Sequence, residues 1–171
     1  VRNPASMCGV VGIKPTYGLV SRRGVIPLAW SLDHVGPLTR TARDNALMLD
    51  ILAGHDPLDP GSASHEAGGY AATLDGGVKG LRVGVIRHFY TNDMKAEPEV
   101  AEGIEAAARK LAGLGAVVSE VRTAPLADWL AVNRTILTSE AYAAHEKWMR
   151  ERPQDYGALA RGRIMAGAFV R

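Results

Sequence analysis

The alternation of apolar and polar positions divides this chain into short strands, amphipathic helices and turn-rich connections. Residues 1–9 read as a polar loop leading into an apolar run, Val10 to Ile13, that stops at Lys14 and Pro15. Pro15 biases Lys14 toward extended backbone and removes an amide donor, so the run is predicted to be a short buried strand. Residues 17–30 read as a loop punctuated by Gly18, Gly24 and Pro27, and 33–38 as a strand end turning at Gly36 and Pro37. Thr41 is a helix start, with Asp44 three positions on as an approximate capping box. Leu47, Met48, Ile51 and Leu52 are assigned to its buried face, and Gly54 to its end. Residues 55–80 carry turn dipeptides and predict a surface loop, with a helical turn over 71–74. A Val/Ile-rich buried strand follows over 81–86. The helix predicted over 97–114 has Pro98 in its first turn and Val100, Ile104, Ala107, Ala108, Leu111 and Leu114 at helical spacing. Gly115 stops it, and 116–121 reads as another strand. Strand, helix and strand in succession predict a right-handed crossover with parallel strands. Pro125 opens a helical region bearing Leu126, Trp129, Leu130, Ile136, Leu137 and Tyr142. Pro153 breaks it, and a last helix follows Gly157. The fold class is α/β.

Composition narrows the picture. A length of 171 residues suits one domain or a large part of one. The chain reads as one partial domain in four stretches: strand and loops over 1–40, helix and surface loop over 41–80, strand–helix–strand over 81–122, and a helical region over 125–171. A hydrophobic fraction of 47% with 22% charged residues argues against disorder. The net charge of +2 comes with no basic stripe, so direct nucleic-acid binding is not expected. One cysteine excludes an internal disulfide and a cysteine metal cluster, and a reducing cytoplasm is the expected setting. No apolar run approaches the roughly 20 residues that span a bilayer.

The spacing Arg2-x-Pro4-Ala5-x-x-Cys8-Gly9-x-x-Gly12-x-Lys14-Pro15-Thr16-x-Gly18 resembles the second half of the amidase signature. The resemblance continues through Ser21 to Pro27 and Ser31 to Arg40, and more weakly over most of the remaining chain. It implies a large mixed β-sheet covered by helices on both faces. It also implies acyl transfer: a serine attacks an amide carbonyl, an acyl-enzyme forms, ammonia or an amine leaves, and water completes the hydrolysis. A neutral lysine acting through a bridging serine serves as base and then acid, with no metal and no organic cofactor. In that pattern the nucleophile lies one position before Val1, and the bridging serine and lysine lie further upstream. No catalytic residue is therefore expected within 1–171. The apolar pattern Ile164, Met165, Ala168, Phe169, Val170 has no closing cap, so the chain is expected to be an interior segment, inactive alone. The parent would act on a small-molecule amide. The alternative is the A subunit of a glutamine-dependent amidotransferase that serves charged tRNA. Exposed sheet edges would favour a homo-oligomer.

Three residues carry site expectations under this resemblance. Arg2, two positions after the nucleophile, would hold the nucleophile turn through a carboxylate lying before it. Asp33 would face the substrate pocket or fix a turn. Arg163 would bind a substrate carboxylate through two parallel hydrogen bonds, with Arg161 as its competitor. Asn3, Met7 and Cys8 are candidates for the pocket lining. Cys8, beside Gly and Val, reads as a small buried core residue rather than a nucleophile, although His34, His55, His65, His88 or His145 could approach it. Lys14 lies on the wrong side of the nucleophile to be the base. Adjacent Asp33 and His34 on extended backbone point to opposite faces, which argues against a catalytic pair and leaves His34 as a packing residue. Glu99, Glu102 and Glu105 have the spacing of a solvated helix face.

Overall fold

The computed structural model describes residues 1–64 and 68–170. They form two compact units: Val1–Asp75 with Ile136–Arg171, and Gly76–Thr135. His65 lies outside the described residues, as does part of the surface loop read over 55–80.

In the first unit the opening is not a loop but a helix, α1 (Arg2–Cys8). Pro4 falls in its first turn, where a missing amide hydrogen costs nothing. Gly9 closes it at φ 64°, a left-handed position that suits glycine, and the Val10 N–H reaches back to Ala5 O at 3.0 Å. Proline early and glycine just past the end is the helix signal that the loop reading of 1–9 overlooked. Strand β1 is only Val11–Gly12, antiparallel to β2 (Leu38–Thr39). Neither Val11 nor Ile13 is buried, so the predicted buried strand is corrected to a short exposed one. Gly12 is required there: a Cβ on it would come within 2.5 Å of the Ala5 Cβ.

Helix α2 (Ala42–Leu52) starts as expected, with the Thr41 Oγ1 accepting from the Asp44 N–H at 3.1 Å. Its buried face is not the expected one. Asn45, Ala46 and Leu49 are buried, whereas Leu47, Met48, Ile51 and Leu52 are exposed, Ile51 to 78%. Leu49 packs with Leu19 and Val20 in a small core flanked by Val35, Ala53 and Tyr70. A 3₁₀ helix over Ala71–Gly76 extends the predicted helical turn.

Helix α4 (Leu126–Glu151) crosses the division between the units, which falls before Ile136. Its buried positions are Ala141, His145 and Met149, while Trp129 and Leu130 of the predicted helical region are exposed. Ala141 and Met149 pack with Ile164 of α5 (Ala158–Met165). A 3₁₀ turn, Ala166–Phe169, follows α5. Gly167 lies so close to α4 that an added Cβ would overlap Thr138 O. Phe169 and Val170, at the end of the apolar pattern, are exposed.

In the second unit β3 (Arg82–Val85) pairs parallel with β4 (Val117–Glu120), from Arg82↔Val117 to Val85↔Glu120. Helix α3 (Pro98–Gly113) connects them, with Pro98 in its first turn, Glu99 near its positive end and Lys110 near its negative end. The strand–helix–strand reading matches this unit closely, although only Val85 of β3 is buried. Glu105 departs from the solvated-face reading. It accepts from Arg87 Nε at 2.8 Å and from the Tyr90 hydroxyl at 2.7 Å, which hold its carboxyl down at about 2.

The class is α/β. Among the described residues the strands form two separate pairs, one antiparallel and one parallel, rather than one large sheet.

Candidate functional site

The best-organised irregular part of the first unit is formed by loop 17–33 and the turn 56–62. At its centre Asp59 is gripped by Arg22. The Arg22 backbone N–H donates to Asp59 Oδ2 at 2.8 Å, Nη2 reaches Oδ1 at 3.2 Å, and the Gly61 N–H adds a bond at 2.9 Å. The two side chains are 16% and 5% exposed. The Arg22 amide, then its guanidinium, then the Gly61 amide all favour the charged carboxylate and hold Asp59 at about 2. The guanidinium lies 4.7 Å from the Tyr17 ring centre, and Tyr17 Oη and Arg22 Nη1 both donate to Trp30 O. Gly61 has no room for a side chain, since a Cβ there would run into Arg22 Nη2. Asp56 joins the frame: the Ser21 hydroxyl donates to it at 2.7 Å and, with the Leu58 amide, lowers its pKa. The surface loop expected over 55–80 is thus, over 56–62, a tied turn.

This frame encloses a pocket of about 480 Å³ lined by Tyr17, Val25, Pro27, Trp30 and Leu58 around Arg22. The Arg22 guanidinium is engaged by Asp59 and Trp30 O, and Arg23 and Asp59 add charged groups to a wall that is otherwise aromatic and aliphatic. No serine, cysteine, lysine or histidine is among these lining residues.

The expected site residues are spread over several places. Arg2 opens α1, is exposed and has no partner among the described residues. Asp33 fixes its own turn: its Oδ2 accepts the N–H groups of Leu28 at 2.8 Å and Ala29 at 3.0 Å. Arg163 lies exposed in the last turn of α5, and Arg161 is exposed in the same helix. Asn3 and Met7 are exposed on α1. Cys8 is an exposed free thiol at the end of α1, which corrects its reading as a core residue. The Lys14 amine bonds Pro15 O at 2.9 Å. His34 packs edge-on to Tyr17 with ring centres 5.5 Å apart.

Two anchors were invisible in the sequence. Glu140 and His145 of α4 bond Ser31 and Pro27, partners 109 and 118 positions away. No local pattern marks Glu140 or His145, because their partners are so far away in the chain. Asn45 is a third: buried on α2, it donates to Val11 O and Pro37 O, both at 3.2 Å, and so ties β1 to the entry of β2.

Both the sequence and the fold recur in known proteins. The amidase family profile matches residues 1–168. The chain belongs to the amidase family. An amidase of Pseudomonas putida is 43% identical over 171 residues, covering 99% of this chain and 36% of that protein. The A subunit of the glutamyl-tRNA(Gln) amidotransferase of Gloeobacter violaceus is 39% identical, covering 99% and 38%. Among solved structures, the corresponding amidotransferase protein of Thermotoga maritima superposes with a TM-score of 0.75 at 36% identity, over 97% of this chain and 35% of that one. A protein described in connection with a vestigial complex and the origins of an s-triazine catabolic enzyme superposes at 0.87 with 35% identity, over 99% and 36%. The chain therefore spans little over a third of the length of these relatives.

Proposed function

We propose that this chain is the signature-bearing part of an amidase that hydrolyses carboxylic amides to acid plus ammonia or amine. The family match over 1–168 carries this reading. In it, a serine just before Val1 attacks the amide carbonyl carbon. The bridging serine and lysine relay its proton to the departing nitrogen, and water then cleaves the acyl ester. None of these three groups lies within 1–171, so the chain contributes binding and positioning. Arg2, at the start of α1 with no partner among the described residues, is free to clamp a carboxylate beside the nucleophile turn. Asp33 shapes the loop that carries Trp30, and Arg163 is available to a substrate carboxylate. The aromatic and aliphatic part of the pocket wall, Tyr17, Val25, Pro27, Trp30 and Leu58, suits an amide with an aromatic or alkyl group. No metal or organic cofactor is needed.

A second reading, an amidotransferase of the tRNA-dependent kind, has its own support: the relatives of that name are about as similar as the amidase. A cytoplasmic setting belongs to either reading, in keeping with the exposed free thiol of Cys8.

The test is ammonia release from simple amides by the longer protein carrying this chain. Serine-dependent turnover without ATP or a partner protein supports the amidase. Turnover of glutamine only with charged tRNA and a partner protein supports the second reading. No turnover of either kind overturns both.

A further inference from the structure

We propose that Glu140, with His145 one and a half turns further along α4, is a positioning residue for the substrate-facing loop 27–33. The substrate-facing part of this rests on the amidase reading; the loop-holding part does not.

Loop 27–33 has no strand or helix ladder, so its amides and carbonyls need other partners. Asp33 takes the N–H groups of Leu28 and Ala29. The Ala29 carbonyl takes those of Leu32 and Asp33 at 2.9 and 2.8 Å. The Trp30 carbonyl takes Tyr17 and Arg22. Two further groups are held from α4. Glu140 Oε2 accepts the Ser31 N–H at 2.9 Å and Oε1 accepts the Ser31 hydroxyl at 2.6 Å. His145 Nε2 meets Pro27 O at 2.7 Å, while its Nδ1 meets the Tyr156 hydroxyl at 2.8 Å.

Two carboxylate oxygens on one residue fix both the place and the rotation of Ser31. The His145 bond fixes the other end of the loop. Between them Ala29 is fully buried, while Leu28 and Trp30 remain 45% and 49% exposed. A loop tied at both ends that displays apolar side chains is a preorganised binding wall, and anchors on a helix hold such a wall more closely than anchors on another loop. Helix α4 is itself fixed here by Gly167 against Thr138 and by Ala141 and Met149 packed on Ile164.

The experiment uses the longer protein carrying this chain, with hydrolysis of alkyl and aromatic primary amides followed by ammonia release. Glu140→Ala is expected to raise KM about tenfold for these amides while kcat stays within about twofold, the pattern of lost substrate positioning. Glu140→Gln is expected to stay near the unsubstituted protein. Its amide oxygen can accept from the Ser31 N–H and its NH₂ can donate to the Ser31 hydroxyl. Ser31→Ala, which removes one arm only, is expected to raise KM about threefold, and serves if Glu140→Ala does not fold. Unchanged KM in Glu140→Ala, or in Ser31→Ala where that variant stands in, overturns the proposal.

Hydrogen exchange over 27–33 is read in parallel. Faster exchange in Glu140→Ala with an inactive unsubstituted protein upholds the anchoring and removes the amidase reading. Exchange as slow as in the unsubstituted protein overturns the anchoring.

Discussion

At the scale of single residues, the polar pairs of this chain are stronger than its composition suggests. Asp59 titrates at about 2 when folded, against an ordinary value of 3.8. The unfolded chain therefore binds more protons between those values, and stability rises with pH across that window. The contribution of Asp59 is fully present above about pH 4 and lost as pH falls through 2. Asp59→Asn is expected to flatten this acid limb and to lower stability at neutral pH by about 2 kcal/mol, read from urea midpoints against pH. Unaltered midpoints at pH 3 and 7 would contradict the role given to Arg22. Gly18 is a second sensitive point. It sits at φ 79°, and a Cβ there would approach Gly61 O to 2.5 Å. Gly18→Ala is expected to cost at least about 2 kcal/mol, visible as a lower Tm. The sequence marks Gly18, Asp59 and Gly61 as turn residues. That Asp59 faces Arg22 across 37 positions was not legible, because turn propensity is local and the partner is not.

At the scale of elements, caps and breakers were readable and faces were not. Thr41→Ala is expected to cost about 1 kcal/mol through the lost bond to the Asp44 N–H, measured by denaturant unfolding. In the second unit Arg87 binds Glu105 of α3 and Glu120 of β4, and so pins the end of β3 to both. Glu105 is held at about 2, below its ordinary 4.5, so its contribution is present above about pH 4.5 and fades as pH falls toward 2. Glu105→Gln is expected to speed hydrogen exchange in β3 and α3 at neutral pH but to change little near pH 2. Helices α2 and α4 carry apolar residues on more than one side. Periodicity alone put Leu47, Met48, Ile51 and Leu52 on one face of α2, yet packing among the described residues uses Ala46 and Leu49 there, and Ala141 and Met149 on α4.

At the scale of the whole molecule, the chain leaves much apolar surface uncovered. Among the described residues no large side chain is fully buried, and Ile26, Ile51, Leu159 and Phe169 are strongly exposed. Patches of this kind favour association. The 171-residue chain alone is expected to self-associate in light scattering, and Leu47→Lys with Ile51→Lys to raise its monomer fraction without changing its circular dichroism. A clean monomer of the unsubstituted chain at high concentration would contradict this. The same chain is expected to release no ammonia from amides, because the amidase reading places the serine–lysine relay outside residues 1–171.

The sequence by itself determined the family, the α/β class and most of the places where helices begin and end, because motif spacing, caps, prolines and glycines act over a few residues. Only the tertiary structure decided which side of α2 and α4 is buried, that Arg22 meets Asp59 at the edge of a pocket, and that Glu140 and His145 hold Ser31 and Pro27 from α4. Burial and long-range hydrogen bonds depend on which elements meet. That is a property of the folded chain, and no local pattern of side chains contains it.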